Sequence, residues 1–228
     1  MINHGLKRYF VFLILIFIVP FKNGICQETS LPLITKNCGE NSKPLIFHIS
    51  GDGGWRGFDI KMADEYNANG LSYVMLNSFK YFWSTKTPDQ LVKDVVPVLR
   101  NYLKMWNKNE MIFVGFSFGA EILPFFFTRL PDDLKKKVIL IVLITPGKTS
   151  DFTIHIKDMM SLDGNYAYDV VKEVAKIKTS KILSIFGEKE SLIFPESGQQ
   201  KNLKIEYVKG GHHFTDGKSV MELILPEF

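Results

Sequence analysis

Ser117 stands within Gly115-Phe116-Ser117-Phe118-Gly119, directly after the apolar run Met111–Val114 and directly before a helical pattern. Gly-x-Ser-x-Gly between a strand and a helix is the context of a nucleophile elbow: the flanking glycines let the backbone turn without a Cβ clash, and the serine hydroxyl stands clear of the sheet. A hydroxyl is a poor nucleophile until a base takes its proton, and the base needs a carboxylate to orient it. In such folds the chain order is serine, acid, histidine. Glu188-Lys189-Glu190 follow the apolar run Lys181–Gly187, and His212-His213 follow Lys204–Val208 and a Gly210-Gly211 turn, so the order is met. Standing three residues past the glycine that closes its strand, Glu190 is preferred as the acid, with Glu188 as the alternative. His212, presented directly by the paired glycines, is preferred as the base, with His213 as the alternative.

An acyl-transfer site also needs backbone donors where negative charge develops on the carbonyl oxygen. One is the N–H of Phe118, the residue after the nucleophile. The other belongs to the glycine-rich turn Ser50-Gly51-Asp52-Gly53-Gly54-Trp55, either Asp52 or, if the turn is shifted by one, Gly53. A phosphate-cradling loop is the competing reading of that turn, but the Lys-Ser/Thr ending of a P-loop is missing and the dinucleotide pattern fails. Metal chemistry finds no His-x-x-x-His or Cys-x-x-Cys spacing, and neither a metal nor another cofactor is expected.

These residues must be carried by a sheet. Strands are expected at Leu45–Ser50, Ser72–Asn77, Met111–Gly115, Val138–Ile144, Lys181–Gly187 and Lys204–Val208, and most of these runs are apolar along their whole length rather than alternating, as in strands covered on both faces. Helical patterns lie between them at Phe58–Asn69, Pro88–Trp106, Phe118–Leu130 and Tyr166–Lys176, with a last helix from Asp216 onward. The alternation predicts a three-layer α/β domain with a mostly parallel sheet. Thr87-Pro88 is a well-formed helix start, and Pro97 should kink the helix it lies in. Ser78–Ser84 reads as an aromatic loop near the catalytic edge, Phe125-Phe126-Phe127 and His48 as core, and the role of 145–180, cap or crossing, stays open.

The chain has 228 residues, 46% of them apolar and 23% charged, which excludes disorder, collagen-like repeats and a disulfide scaffold and leaves room for one or two domains. Its charge of +4 does not argue for nucleic acid. Lys7, Arg8 and Lys22 fall in the first 26 residues, which carry no Asp or Glu; the remainder has 25 basic against 24 acidic side chains. Lys7-Arg8 precede the apolar run Tyr9–Phe21, too short for a hydrocarbon core of about 30 Å, so 1–26 reads as a signal peptide cleaved before Gln27. An uncleaved anchor or a lipidated Cys26 is the alternative. Residues 27–228 are then one exported domain.

Several segments together resemble the bacterial VirJ/AcvB virulence-protein family. They are Ser50–Trp55, Tyr81-Phe82-Trp83 with Thr87-Pro88, Gly115–Ala120, Leu123-Pro124-Phe125, Arg129-Leu130-Pro131 and Gly210-Gly211-His212-His213-Phe214. The resemblance covers nearly all of 45–215. It implies an α/β-hydrolase fold, a periplasmic location, and hydrolysis of the aminoacyl ester of lysyl-phosphatidylglycerol, with association to type IV secretion in some members. Family members tend to have aspartates in the acid loop, where this chain has Glu188-Lys189-Glu190.

The expected activity is therefore that of a serine esterase acting on an aminoacylated phospholipid, with peripheral membrane contact and a secretion-system protein as a further candidate partner. Trp55, Tyr81 and Trp83 would meet a lysyl ammonium by cation–π contact, with Glu121 or Asp52 as counter-charge. The alternative is a non-catalytic binding module that keeps the hydrolase fold to contact envelope or secretion proteins.

Overall fold

A computed structural model of the chain describes residues 31–155, 166–190, 200–212, 214 and 216–228. The expected signal peptide and Cys26 lie outside these residues, as does His213. Nine strands and seven α-helices are described in this order: β1 Leu33–Lys36, β2 Leu45–Ile49, α1 Phe58–Ala68, β3 Tyr73–Leu76, α2 Ser78–Tyr81, α3 Pro88–Met105, β4 Met111–Phe116, α4 Phe118–Thr128, α5 Asp132–Lys135, β5 Val138–Ile144, β6 Thr149–Ser150, β7 Tyr168–Asp169, α6 Val170–Ala175, β8 Lys181–Gly187, β9 Leu203–Val208 and α7 Lys218–Ile224.

Seven strands form one sheet in the order β1-β3-β2-β4-β5-β8-β9, parallel except for β1, which pairs antiparallel with β3. The inner strands β2, β3 and β4 are buried along their whole length, which is why their sequences are apolar without alternation. From β2 the chain moves outward to β3, then returns past β2 to β4 and continues the other way. Right-handed crossovers in opposite directions put helices on opposite faces. Two cores result. One packs α3, α4, α5 and α6 on one face; the other packs α1 and α7 on the other. The reversal lies between β2 and β4, and an open α/β sheet has its crevice beyond the strand ends at such a point.

All six expected strands are present, with no end differing by more than one residue. Three features were not expected. β1 forms inside the polar, turn-rich stretch 27–43, because an edge strand can be held by pairing with β3 and by the partly buried Leu33 and Ile34. The Tyr166–Lys176 pattern splits: Tyr168–Asp169 pairs with Thr149–Ser150 as a small ribbon, and Asp169 then caps α6 by accepting from the Lys172 amide at 2.9 Å. Ser78–Tyr81 is one helical turn rather than loop, capped by Asn77, whose side chain accepts from Lys80 N–H. Pro97 does not divide α3, which runs from Pro88 to Met105 with Pro97 on its exposed side, where water can serve the carbonyl it leaves unpaired. Thr87 caps that helix by accepting from the Gln90 amide.

Candidate active site

β4 ends at Phe116 and α4 begins at Phe118, so Ser117 alone makes the turn, at φ 51° and ψ −118°. A non-glycine residue in that region costs on the order of 1–3 kcal/mol and persists only where its surroundings over-determine it. Both flanking glycines are such determinants. A Cβ on Gly115 would lie 2.7 Å from Ala120 Cα, and one on Gly119 would overlap the carbonyl oxygen of Ile49 in β2. The Ser117 amide donates to Ile144 O in β5 at 2.8 Å, which fixes the elbow between its two neighbouring strands.

β8 and β9 end on the same edge. Their terminal loops are pressed together at Gly187, where a Cβ would stand 2.6 Å from Gly211 O. Out of that contact come the other two polar groups. Ser117 Oγ lies 2.9 Å from His212 Nε2, and His212 Nδ1 lies 2.8 Å from Glu190 Oε1. With the ring proton on Nδ1 it is donated to Glu190, leaving Nε2 to accept the serine proton. Glu190 is itself held, because its Oε2 accepts the Gly187 amide at 2.6 Å. The imidazole and carboxylate side chains are each 14% exposed, so the pair is largely shielded from water. Phe116 stacks on the imidazole with ring centroids 6.2 Å apart. Glu188, the alternative acid, has an exposed side chain without an ion pair among the described residues, and its amide donates to Val208 O. Between the two glutamates, the geometry selects Glu190. His213, the alternative base, is outside the described residues.

The expected oxyanion donors sit at the same edge. Phe118 N–H, at the start of α4, has no acceptor among the described residues, as follows for the first amide of a helix. After β2, Gly51 O accepts from Gly54 N–H at 2.9 Å, which closes a turn with Asp52 and Gly53 at its two central positions. Carbonyl and N–H point opposite ways across a trans peptide, so anchoring Gly51 O aims the Asp52 amide to the other side and favours Asp52 over Gly53. Gly54 needs no side chain: its φ is +69°, and a Cβ would meet Asn77 Oδ1 at 2.5 Å. The turn is tied down further by Ser50, whose Oγ accepts from Ser78 N–H and whose carbonyl accepts from Ser78 Oγ–H.

The expected substrate-binding residues fare unevenly. Tyr81 is a correction: it is 6% exposed, its hydroxyl donates to Asp94 at 2.7 Å and its ring packs edge-on against Phe82, so it is core of the α3 face rather than a binding surface. A one-turn helix turns Tyr81 inward where a loop was expected. Trp83 is 60% exposed and tilted against Phe79, while Trp55 is half-buried on the opposite core. No ring contact joins Trp55, Tyr81 and Trp83 among the described residues.

Glu121 lies one turn into α4, its amide donating to Ser117 O. Its Oε1 accepts from Gly147 N–H at 3.2 Å and no cation pairs with it among the described residues. Enclosure away from water pushes its carboxyl up to about 7, helped by the nearby charges of Asp52 and Asp151. No group of three or more His, Cys, Asp or Glu side chains among the described residues is arranged to hold a metal ion.

The sheet order, the strained serine at the end of β4 and the acid and histidine after β8 and β9 define an α/β-hydrolase fold. Solved structures agree on that fold. Est1E from Butyrivibrio proteoclasticus, solved with ferulic acid bound, is 15% identical with a TM-score of 0.56, over 86% of this chain and 95% of its own. An α/β hydrolase from the sediment metagenome of the Mar Chica lagoon, Morocco, is 15% identical with a TM-score of 0.60, over 88% and 95%. The thioesterase domain of the curacin biosynthetic pathway is 12% identical with a TM-score of 0.55, over 85% and 94%. No curated protein matches the chain by sequence. The family described as bacterial virulence protein (VirJ) matches residues 44–227, and the chain belongs to that family.

Proposed function

We propose that the protein is an exported serine hydrolase that cleaves an aminoacyl ester of a membrane lipid of the lysyl-phosphatidylglycerol type. The observation that carries the hydrolase reading is the continuous hydrogen-bonded chain from Ser117 Oγ through His212 to Glu190. Ser117 Oγ attacks the ester carbonyl while His212 Nε2 takes its proton, and Glu190 holds the imidazolium that results. The Phe118 and Asp52 amides receive the developing oxyanion. Collapse of the tetrahedral adduct breaks the ester bond, with His212 returning the proton to the departing lipid glycerol. Water then attacks the aminoacyl-serine in the same way, releases the amino acid and restores Ser117.

The aminoacyl part of the reading is supported by charge. Glu121, without a cation partner among the described residues, and Asp52 at the same mouth suit an ammonium group, and a bound ammonium would lower the Glu121 pKa and favour its ionised form. Exposed Trp83 beside Phe79 and Lys80 suits contact with an anionic lipid surface. The test is lysine release from lysyl-phosphatidylglycerol vesicles by the purified protein, set beside Ser117→Ala. The expected result is release by the wild type alone; equal release by both, or by neither, overturns the substrate assignment.

A further inference from the structure

Two hydrogen bonds place Glu121 against the nucleophile. It stands four residues after Ser117, and its amide donates to Ser117 O at 3.1 Å. Side chains at that spacing rise from one face of a helix, about 5–6 Å apart at Cβ, and lean toward the helix N-terminus. The carboxylate is tied at the same level: Glu121 Oε1 accepts from Gly147 N–H at 3.2 Å, and Gly147 is three residues past the end of β5. A Cβ on Gly147 would collide with that oxygen, so the loop comes this close only because the residue is glycine. Ile144, the last residue of β5, accepts the Ser117 amide. The carboxylate therefore flanks Ser117 on the β5 side of the sheet edge, partly exposed and without an ion-pair partner among the described residues.

The other directions around Ser117 are taken. The turn that carries the Asp52 amide follows β2, which pairs with β4 on the side opposite β5. His212, which returns a proton to the departing alcohol, comes from the other face of the sheet, where its ring stacks on Phe116 in the core packed by α1 and α7. An ester carbon bound to Ser117 has three further substituents: the oxyanion, the leaving oxygen and the acyl Cα. With the first turned to the β2 side and the second to His212, the acyl Cα faces α4 and the end of β5, where Glu121 stands. In an aminoacyl group the α-ammonium is two bonds from the ester carbon, about 2.5 Å, whereas the ε-ammonium of an extended lysyl chain lies roughly 6 Å beyond Cα. A carboxylate one helical turn from the nucleophile meets the first, and the extended second overshoots it.

We propose that Glu121 is the specificity-determining residue for the acyl group: its carboxylate pairs with the α-ammonium, so the substrate class is esters of free α-amino acids, and the lysyl side chain is not what it reads. The proposal rests on the serine-hydrolase reading. An ester whose α-amine is acylated or absent forfeits the pairing.

The experiment measures kcat/KM of wild type and Glu121→Gln on the benzyl esters of alanine, propionic acid, 6-aminohexanoic acid and hexanoic acid. Alanine carries only the α-amine and 6-aminohexanoic acid only the distal one. The intrinsic reactivity of each ester cancels when its ratio to the amine-free ester is compared between the two proteins. The alanyl-to-propionyl ratio should be about 10–100-fold lower in Glu121→Gln, the scale of removing one partner of a charge-assisted pair, and the 6-aminohexanoyl-to-hexanoyl ratio should differ by less than about threefold. Wild type alone supplies a second measurement should the variant not fold: 1-aminoethylboronic acid, which mimics the tetrahedral adduct, should inhibit at least about tenfold more tightly than ethylboronic acid. An alanyl ratio that is the same in both proteins, an equal loss on all four esters, a fall in the 6-aminohexanoyl ratio instead, or equal inhibition by the two boronic acids overturns the assignment. A folded wild type that turns over none of the esters and binds neither boronic acid overturns the hydrolase reading, and this assignment with it.

Discussion

At the residue scale the candidate site is a short run of hydrogen bonds, and the proposed reaction sends a proton along it. Ser117 reaches His212 at 2.9 Å and His212 reaches Glu190 at 2.8 Å, while Glu188 points away into solvent. Glu190→Gln should therefore lower kcat toward p-nitrophenyl esters by about 10²–10⁴-fold, as loss of the orienting charge does in such triads, whereas Glu188→Gln should stay within about threefold; steady-state kinetics on the two variants decides it. Glu121 gives a prediction with a sign. Its pKa in the folded chain is about 7, above the ordinary 4.5, so the folded state binds more protons than the unfolded between those values. The contribution of Glu121 to stability is then fully present below about pH 4.5 and is lost as pH rises through 7, by at most about 3 kcal/mol. Glu121→Gln keeps an acceptor for Gly147 N–H and removes the enclosed charge, so its Tm should exceed that of the wild type at pH 8 and match it near pH 4.5. A Tm difference that does not grow with pH would contradict the assignment. These side chains were legible as types at expected spacings. The hydrogen bonds of buried His48 to Asp59 and Tyr66 were not, because nothing in a strand of five buried residues marks which partners its histidine will find across the layer.

Elements succeed or fail here through backbone proximity. Gly119 lets α4 lie against the end of β2, and an alanine there would drive a Cβ into Ile49 O. Gly119→Ala should lower stability by about 3 kcal/mol or more, since backbone cannot move aside as a side-chain tip can; chemical denaturation measures it. Gly187→Ala is a sharper probe of the site. By pushing against Gly211 it should part the acid loop from the histidine loop and lower kcat by about 10²-fold, the scale of an ångström-sized misplacement. Unchanged kcat in a folded Gly187→Ala variant would mean that the two loops are not held in register by that contact. The inner strands were readable because burial on both faces leaves an unbroken apolar signature. Ser78–Tyr81 and Thr149–Ser150 with Tyr168–Asp169 were not, since two to four residues give no period; what forms them is an Asn77 cap and a pairing across nearly twenty residues. That short helix is what turned Tyr81 into core and took it away from the expected aromatic box.

On the scale of the whole molecule, the topology brings the turn after β2, the elbow after β4 and the loops after β8 and β9 to one edge of a single sheet. The two cores on its faces leave that edge as the place where polar groups can meet without disturbing packing. Trp83, with 60% of its surface exposed, belongs to the aromatic segment that follows β3. Withdrawing one aromatic ring from a lipid interface should cost about 1 kcal/mol, so Trp83→Ala should bind phosphatidylglycerol vesicles about fivefold more weakly in a flotation assay; equal binding would remove Trp83 from the contact.

The proton path from alcohol to imidazole is tested most directly by a fluorophosphonate, which is captured only by a serine made nucleophilic by its neighbours. Intact-mass and peptide analysis should find one adduct per chain, on Ser117, formed about 100-fold more slowly or not at all in His212→Ala. A folded wild-type protein that remains unmodified, or one modified at another residue while Ser117 stays free, would contradict the account.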